Sequence, residues 1–325
     1  MSRRLGLVLA AAALASLPLW LANSYYVNIA SQIMIWSMLA LSVNVLAGYA
    51  GLVSLGHAGL FGVACYAAAI ASAAGAGPLA AALLALAATV AAASVFAVLS
   101  LRASGISFLM ITLALGQILW GIAYRWISLT EGDNGINLRA RPAPFGLSLE
   151  SPAAFYFATL AAFALVVLSM EVFAASPFGA SLRGTRDQPQ RMTALGYHVW
   201  LIRFLAFLFS GLVAGLAGLF FVYYDKFVSP HALSLSTSAE ALLMVIAGGT
   251  GTLLGPIAGA ALVVIMKYVV SAYVERWNMV LGAIFVAIVL FMPEGLVPGS
   301  LRLWRALRGH LARAAALGSP RSGLG

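Results

Sequence analysis

Leu79-Ala-Ala-Ala-Leu-Leu-Ala-Leu-Ala-Ala-Thr89-Val-Ala-Ala-Ala-Ser94-Val-Phe96-Ala-Val-Leu-Ser100-Leu101 runs for 23 residues without a single charge. A bilayer core about 30 Å thick is crossed by about 20 apolar residues at about 1.5 Å each, so this run is long enough to span it. Its apolar residues are continuous rather than alternating, which argues against a barrel strand. Runs of the same kind occupy roughly 5–22, 28–47, 52–74, 105–124, 153–174, 201–224, 232–249, 255–274 and 279–297. The weakest is 232–249, where Ser234, Ser236, Thr237, Ser238 and Glu240 accompany the purely apolar Ala241–Ala247. The expected fold is an all-α integral membrane protein, a polytopic bundle of about ten transmembrane helices, with eight or nine as alternatives. One membrane domain covers 1–300, and a basic, disordered tail covers 301–325.

Composition agrees with the reading of the runs. Of 325 residues, 63% are hydrophobic and 8% charged, and mean hydropathy is +1.01. A soluble domain carries about 25% charged residues. That contrast excludes soluble enzymes, disordered chains and disulfide scaffolds. The net charge of +9 would suggest nucleic acid in a soluble protein, but here the basic residues sit between apolar runs, where they set orientation. Cys65 is the single cysteine, inside an apolar run, so no intrachain disulfide is expected. Neither metal-ligand nor haem spacing occurs, and no metal or cofactor is expected.

With the N-terminus inside, 12 Lys and Arg residues fall on the cytoplasmic side and 5 outside, with Lys267 left in a span. This bias places both termini in the cytoplasm. Residues 1–22 read as a first anchor, with a cleaved signal as the alternative.

Three segments are richer than lipid-facing filler. The first is Gly48-Tyr-Ala-Gly51-Leu-Val-Ser54-Leu-Gly56-His57-Ala-Gly59-Leu-Phe-Gly62. So many glycines point to backbone that is broken or closely packed, which a membrane tolerates only where protein or a water-filled path covers it. Two readings stand: a tight helix crossing, or a translocation-path element with Ser54 and His57 as its polar groups. A Ser54–His57 catalytic pair is disfavoured, since no third orienting carboxylate lies near and no G-x-S-x-G frame surrounds the serine.

The second segment runs from Glu240 through Gly248-Gly249-Thr250-Gly251-Thr252 to Gly255 and Gly259. Gly251, Gly255 and Gly259 form a small-residue ridge. Glu240 faces the bundle interior, or else sits at the outer interface as a helix-start acid. No Lys-Ser or Lys-Thr follows the glycines, so they are not a phosphate-binding loop. Ala-Gly-x-x-Gly occurs at both 47–51 and 247–251; six crossings separate the two, and the echo reads as recurrent packing chemistry rather than an inverted repeat.

The third segment is the loop 175–200, the longest charged stretch on the cytoplasmic side. Asp187 and Gln190 have capping-box spacing and Gly196 is a natural stop, which predicts a helix of about two turns outside the bilayer. It suits a docking knob for a cytoplasmic partner, with a solvated basic loop as the alternative. The outer loop 125–152 carries Thr130-Glu131-Gly132-Asp133-Asn134-Gly135, strong turn chemistry and a contact surface for an outer partner, or a solvated connection.

Gly48-Tyr-Ala-Gly-Leu-Val-Ser-Leu-Gly-His-Ala-Gly59, Leu129-Thr-Glu-Gly-Asp-Asn-Gly135, Arg183–Gly196, Glu240–Ala261 and Phe291-Met-Pro-Glu-Gly-Leu296, in this order, resemble the permease subunits of branched-chain amino acid ABC importers, the LivH/LivM permease family, LivM type. The resemblance covers roughly 28–298. It implies a chain without enzymatic activity in the cell inner membrane. Its implied partners are a second, LivH-type permease, two cytoplasmic ATPase subunits, a periplasmic substrate-binding protein and membrane lipid, with no nucleic acid. It implies ATPase coupling through Arg183, Arg186, Asp187, Ala194 and Gly196. Binding-protein contact would fall to Glu131, Asp133 and Asn134. The translocation path would be formed by Gly48, Gly51, Ser54, Gly56, His57, Gly59, Glu240, Gly248, Gly249, Gly251 and Gly255. Two departures stand out: Glu131 where such permeases usually carry a second glycine, and Pro189-Gln190-Arg191 where a small, acidic run is more usual. An ion-coupled secondary transporter is the competing class, although Glu240, Lys267 and His57 are few for an ion relay. Permeases for urea and short amides are the competing substrate assignment.

Overall fold

The computed structural model describes residues 14, 16, 18, 23–138, 141–143, 148–274, 276–300 and 302. The expected tail 301–325 lies outside the described residues but for Arg302, as does the expected span 5–22 but for three of its positions.

Eleven α-helices of six residues or more carry the described chain. They are α1 Ser24–Asn44, α2 His57–Ala73, α3 Pro78–Ser100, α4 Ile106–Arg125, α5 Pro152–Ala175, α6 Pro177–Asp187, α7 Pro189–Ala194, α8 Val199–Asp225, α9 Leu235–Gly248, α10 Leu254–Tyr268 and α11 Trp277–Phe291. Their starts follow local chemistry. Asn23, Ser151, Ser176 and Ser234 each cap a helix, their side-chain oxygens accepting a backbone N–H two or three residues on. Proline opens α3, α5, α6 and α7, where its missing N–H costs nothing.

Among the described residues, six helical stretches are long and apolar enough to cross a membrane: Ser24–Ala50, Pro78–Ser100, Ile106–Arg125, Pro152–Ala175, Val199–Asp225 and Leu254–Ala272. His57–Ala73, Leu235–Gly248 and Met279–Ile288 are apolar but shorter. The expected 52–74 is shorter because residues 51–56 are not helical, and the expected 232–249 because 3₁₀ backbone at Pro230–Leu233 precedes the Ser234 cap.

The layering separates a core from a shell. α1 packs against α5, α8, α9 and α10, while α2 packs against α3 and α8. In the most apolar window of Ser24–Ala50 89% of residues are buried, against 22% in those of α4 and α5. α1 is the least apolar of these stretches, and its buried Gln32, Ser37 and Asn44 are kept from lipid by lying inside the bundle. The outer helices present Leu83, Ile106, Met110, Leu165 and Val172 outward, as a lipid-facing surface requires.

At one end, strand β1 (Ile136–Asn137) pairs antiparallel with β2 (Phe227–Val228), Ile136 opposite Val228. At the other end lie α6 and α7. The capping box expected at Asp187 is absent: Asp187 is the last residue of α6, and α7 begins at Pro189 without a side-chain cap. Proline fixes the first-turn backbone there in place of a side-chain cap. The helix so formed has six residues rather than two full turns, and it stops at Gly196, whose φ is +86°.

Candidate functional site

The glycine segment that opens after α1 sits at a junction of four parts of the chain. After Asn44 the helix widens into a π-turn, Val45–Ala50, and ends at Gly51 with φ +69°. From Gly51 to Gly56 the backbone is unwound, and α2 begins at His57. The Asn44 side chain spans the gap to the turn between α9 and α10. Its Nδ2 donates to the Thr252 carbonyl and its Oδ1 accepts from the Gly251 N–H, each at 2.8 Å. Arg186 of α6 donates from Nη1 to the Gly48 carbonyl at 2.6 Å. A Cβ on Gly48 would strike Asn44 Oδ1 and the Gly251 backbone, and one on Gly51 would sit 2.8 Å from Arg186 Cγ. The two Ala-Gly-x-x-Gly segments thus touch each other, 200 positions apart.

Gly248, Gly255 and Gly259 let α9 and α10 close on one another: a Cβ on Gly248 would enter the Gly255 carbonyl, and one on Gly259 the Met244 carbonyl. Gly249, at φ +119°, backs onto Gly295 of the chain after α11. The expected Gly251–Gly255–Gly259 ridge therefore divides: Gly255 and Gly259 serve the α9–α10 crossing, whereas Gly251 faces Gly48.

Deeper in the bundle, the residues around the break bind three helices together. His57 Nε2 lies 2.8 Å from Ser210 Oγ on α8, and Ser210 donates to the Ser42 carbonyl of α1 at 2.7 Å. With its hydroxyl proton committed to Ser42, Ser210 accepts from His57 Nε2–H. Ser54 instead accepts from the Gly56 N–H at 3.2 Å. Ser54 and His57, disfavoured as a catalytic pair, do not share a helix face, because Ser54 lies in the unwound stretch. The Ala58 N–H, one of the free donors of α2's first turn, is taken by Ser238 of α9 at 3.0 Å. Gly56 meets α4, where a Cβ would stand 2.8 Å from the Thr112 carbonyl, and Gly59 faces Gly116.

In loop 175–200, Arg183 donates to the Ala174 carbonyl at 2.9 Å, closing the end of α5. Arg203 of α8 donates to the Thr185 carbonyl at 2.7 Å. α6 is thus held on three sides, and Arg186 points inward at Gly48 as well as outward at Asp187, 3.6 Å away. Ala194 and Gly196 lie at the outer tip, beside exposed Leu195, Tyr197, Trp200 and Leu201.

At the opposite end, Glu131 adopts φ +59°, the left-handed region that favours glycine, and this is the position where the resemblance calls for glycine. Asp133 and Asn134 form an exposed 3₁₀ turn beside it. Arg141 fastens the loop, its Nε donating to the Tyr223 carbonyl at 3.1 Å and its guanidinium stacking 4.5 Å over Phe155. Lys226, 2.8 Å from Glu150, and the Arg141 N–H hold the Glu150 carboxyl below its ordinary pKa. This small contribution to anchoring the loop is present at neutral pH and is lost as pH falls through the lowered pKa.

Glu240 lies beyond the first turn of α9, so it is not a helix-start acid. It lines a cavity, with Lys267 Nζ 3.8 Å away. Sequence reasoning missed Asn44, Ser210 and Arg141: the partners of Asn44 and Ser210 are more than 150 positions distant, and the Tyr223 and Tyr224 carbonyls that hold Arg141 are more than 80 positions from it.

A protein-family model described as branched-chain amino acid transport system / permease component matches residues 25–289. The high-affinity branched-chain amino acid transport system permease protein LivM of Salmonella typhimurium is 29% identical over 296 residues, 84% of this chain and 70% of that protein. LivM of Escherichia coli is 29% identical over 301 residues, with the same coverage of each chain. The autoinducer 2 import system permease protein LsrC of Photorhabdus laumondii is 30% identical over 136 residues, 39% of this chain and 41% of that protein. No solved structure matches the chain.

Proposed function

The chain belongs to the branched-chain amino acid transport permease family, and from that premise we propose that it is one permease subunit of an ATP-driven importer of branched-chain amino acids in the inner membrane. The observation that carries the reading is the match over 25–289, which spans the glycine junction, α6, α7 and the Glu131 loop together. In this reading a second, LivH-type permease completes the path, two cytoplasmic ATPases supply the energy, and a periplasmic binding protein delivers the substrate. Ten crossings place both termini and the Arg186 end in the cytoplasm, with the Glu131 loop outside.

Each part then has a task. A loaded binding protein meets Glu131, Asp133 and Asn134. The ATPases grip α6–α7 and the apolar tip around Gly196, with Arg183, Arg186 and Asp187 setting the angle of α6. A tilt of α6 pulls on Gly48 through Arg186, and Gly48 moves with the Gly249–Thr252 turn through Asn44. Gly51, Gly56, Gly59, Gly248 and Gly255 allow backbones to slide at close range without side chains in the way. Ser54, His57 and Glu240 supply the polar groups of the path. ATP drives the cycle only through different affinities for the outward-open and inward-open states.

Uptake measured in cells tests the energy source. Leucine uptake that depends on this chain should survive collapse of the membrane potential by a protonophore while ATP is maintained, and should stop when ATP is depleted. The reverse pattern identifies an ion-coupled transporter. Uptake of urea or acetamide in place of leucine overturns the substrate assignment alone.

A further inference from the structure

Between α1, α2, α8, α9 and α10, at the end that carries β1 and β2, lies a partly open cavity of about 220 Å³. Trp36, Phe61 and Phe221 form an apolar wall; Asp225, Glu240 and Lys267 supply the charges. We propose that this cavity is a transit subsite for a free amino acid, taking the α-carboxylate on Lys267, the α-ammonium on the two acids and an aliphatic side chain against the aromatic wall. The inference rests on the amino acid importer reading and adds the place where this chain touches its cargo.

The charges do not fit a structural role alone. Ionisable groups set between apolar helices are costly and are kept where they pair or act. One ion pair would suffice to tie α9 to α10, and it would be close. Lys267 instead stands 3.8 Å from Glu240 and 5.4 Å from the centre of the Trp36 ring, held loosely between a carboxylate and an aromatic face. Asp225, at the exposed rim, makes no ion pair of its own among the described residues. One ammonium thus faces two carboxylates, leaving an acid to spare and an ammonium only partly engaged. A zwitterion satisfies both at once, whereas a neutral amide satisfies neither charge and a simple cation is repelled by Lys267. The size agrees: drug-sized ligands occupy roughly 300–1,000 Å³, so this cavity suits one small metabolite. The aromatic wall prefers an apolar side chain to a polar one.

Photoleucine, the diazirine analogue of leucine, reads the site directly. The importer is isolated from its own membrane by a tag on this chain, so that its partners are present, and is labelled during ATP turnover. Label is expected on peptides carrying Trp36 or Phe221, displaced by L-leucine but not by equal concentrations of 4-methylpentanoate or 3-methylbutylamine, which lack one charge each. Lys267→Met should lower the label at least tenfold with partner subunits still co-purifying, and Lys267→Arg should restore it. Label displaced equally by the singly charged analogues, label confined to other peptides, or label that survives Lys267→Met overturns the subsite. If Lys267→Met does not assemble, the competition series on the wild-type importer decides. Leucine uptake by the same preparation, returned to proteoliposomes with loaded binding protein, separates the two claims: uptake without label at this cavity defeats the subsite and leaves the importer standing, while absent uptake defeats the importer reading itself.

Discussion

Asn44 uses both ends of one amide to hold a turn that lies more than 200 positions away. Its two hydrogen bonds go to backbone groups of Gly251 and Thr252, which have no helix to pair them. Leaving a buried polar group unpaired costs about 1–3 kcal/mol. Asn44→Leu is therefore expected to destabilise the protein by roughly that amount for each of the two groups, read as a lowered Tm in detergent. Asn44→Asp keeps the acceptor for Gly251 and should fall in between. A Tm for Asn44→Leu equal to wild type would show that the turn does not depend on this side chain. Glu131 makes the opposite case. A non-glycine residue in left-handed backbone costs about 1–2 kcal/mol, partly offset by glycine's greater freedom when unfolded. Glu131→Gly is expected to hold or raise Tm, and Glu131→Val to lower it; a fall in Tm for Glu131→Gly would mean that the carboxylate, not the turn, is what matters there.

At the scale of the element, α6 and α7 show what could be read in the sequence and what could not. The apolar runs announced every long helix, since continuous hydrophobicity over about 20 residues has one structural solution in lipid. The glycine count between 48 and 62 announced a break, which falls at Gly51–Gly56. α6 went unnoticed because Gly179, Gly184 and several polar residues make it a weak helix by propensity, although Ser176-Pro177 is a cap followed by a first-turn proline. The inward grip of Arg186 on Gly48 could not be read, because a hydrogen bond to a backbone carbonyl leaves no trace in sequence spacing. It changes what Arg186→Glu should do: the variant loosens α6 from the core as well as altering a docking surface. Gly196→Val should strain the end of α7 by about 1–2 kcal/mol through its positive φ alone, since open space surrounds a Cβ there. Co-purification of the ATPases should weaken for Gly196→Val while the second permease stays bound. Full retention of the ATPases would remove α7 from the coupling surface.

For the whole molecule, the long-range pairings divide the described chain between two ends. Gly48, Arg186, Gly251 and Gly295 gather at one; Ile136, Arg141, Glu150 and Lys226 gather at the other. With the basic bias of the loops, Ser181→Cys should resist an impermeant thiol reagent in intact cells and Gly132→Cys should react. Equal reaction at both would refute the assigned topology. The composition made a membrane bundle legible, but the meeting of the two Ala-Gly-x-x-Gly segments was not, because a contact between glycines more than 200 positions apart adds nothing to hydrophobic periodicity. In the proposed importer, ATPase motion enters the bundle through the bond from Arg186 to the Gly48 carbonyl. The most direct test of this route is the ratio of leucine accumulated to ATP hydrolysed in proteoliposomes holding this chain with its second permease and ATPases, supplied with loaded binding protein. For Arg186→Ala the account predicts continued hydrolysis with that ratio at least tenfold below wild type; an unchanged ratio would contradict it.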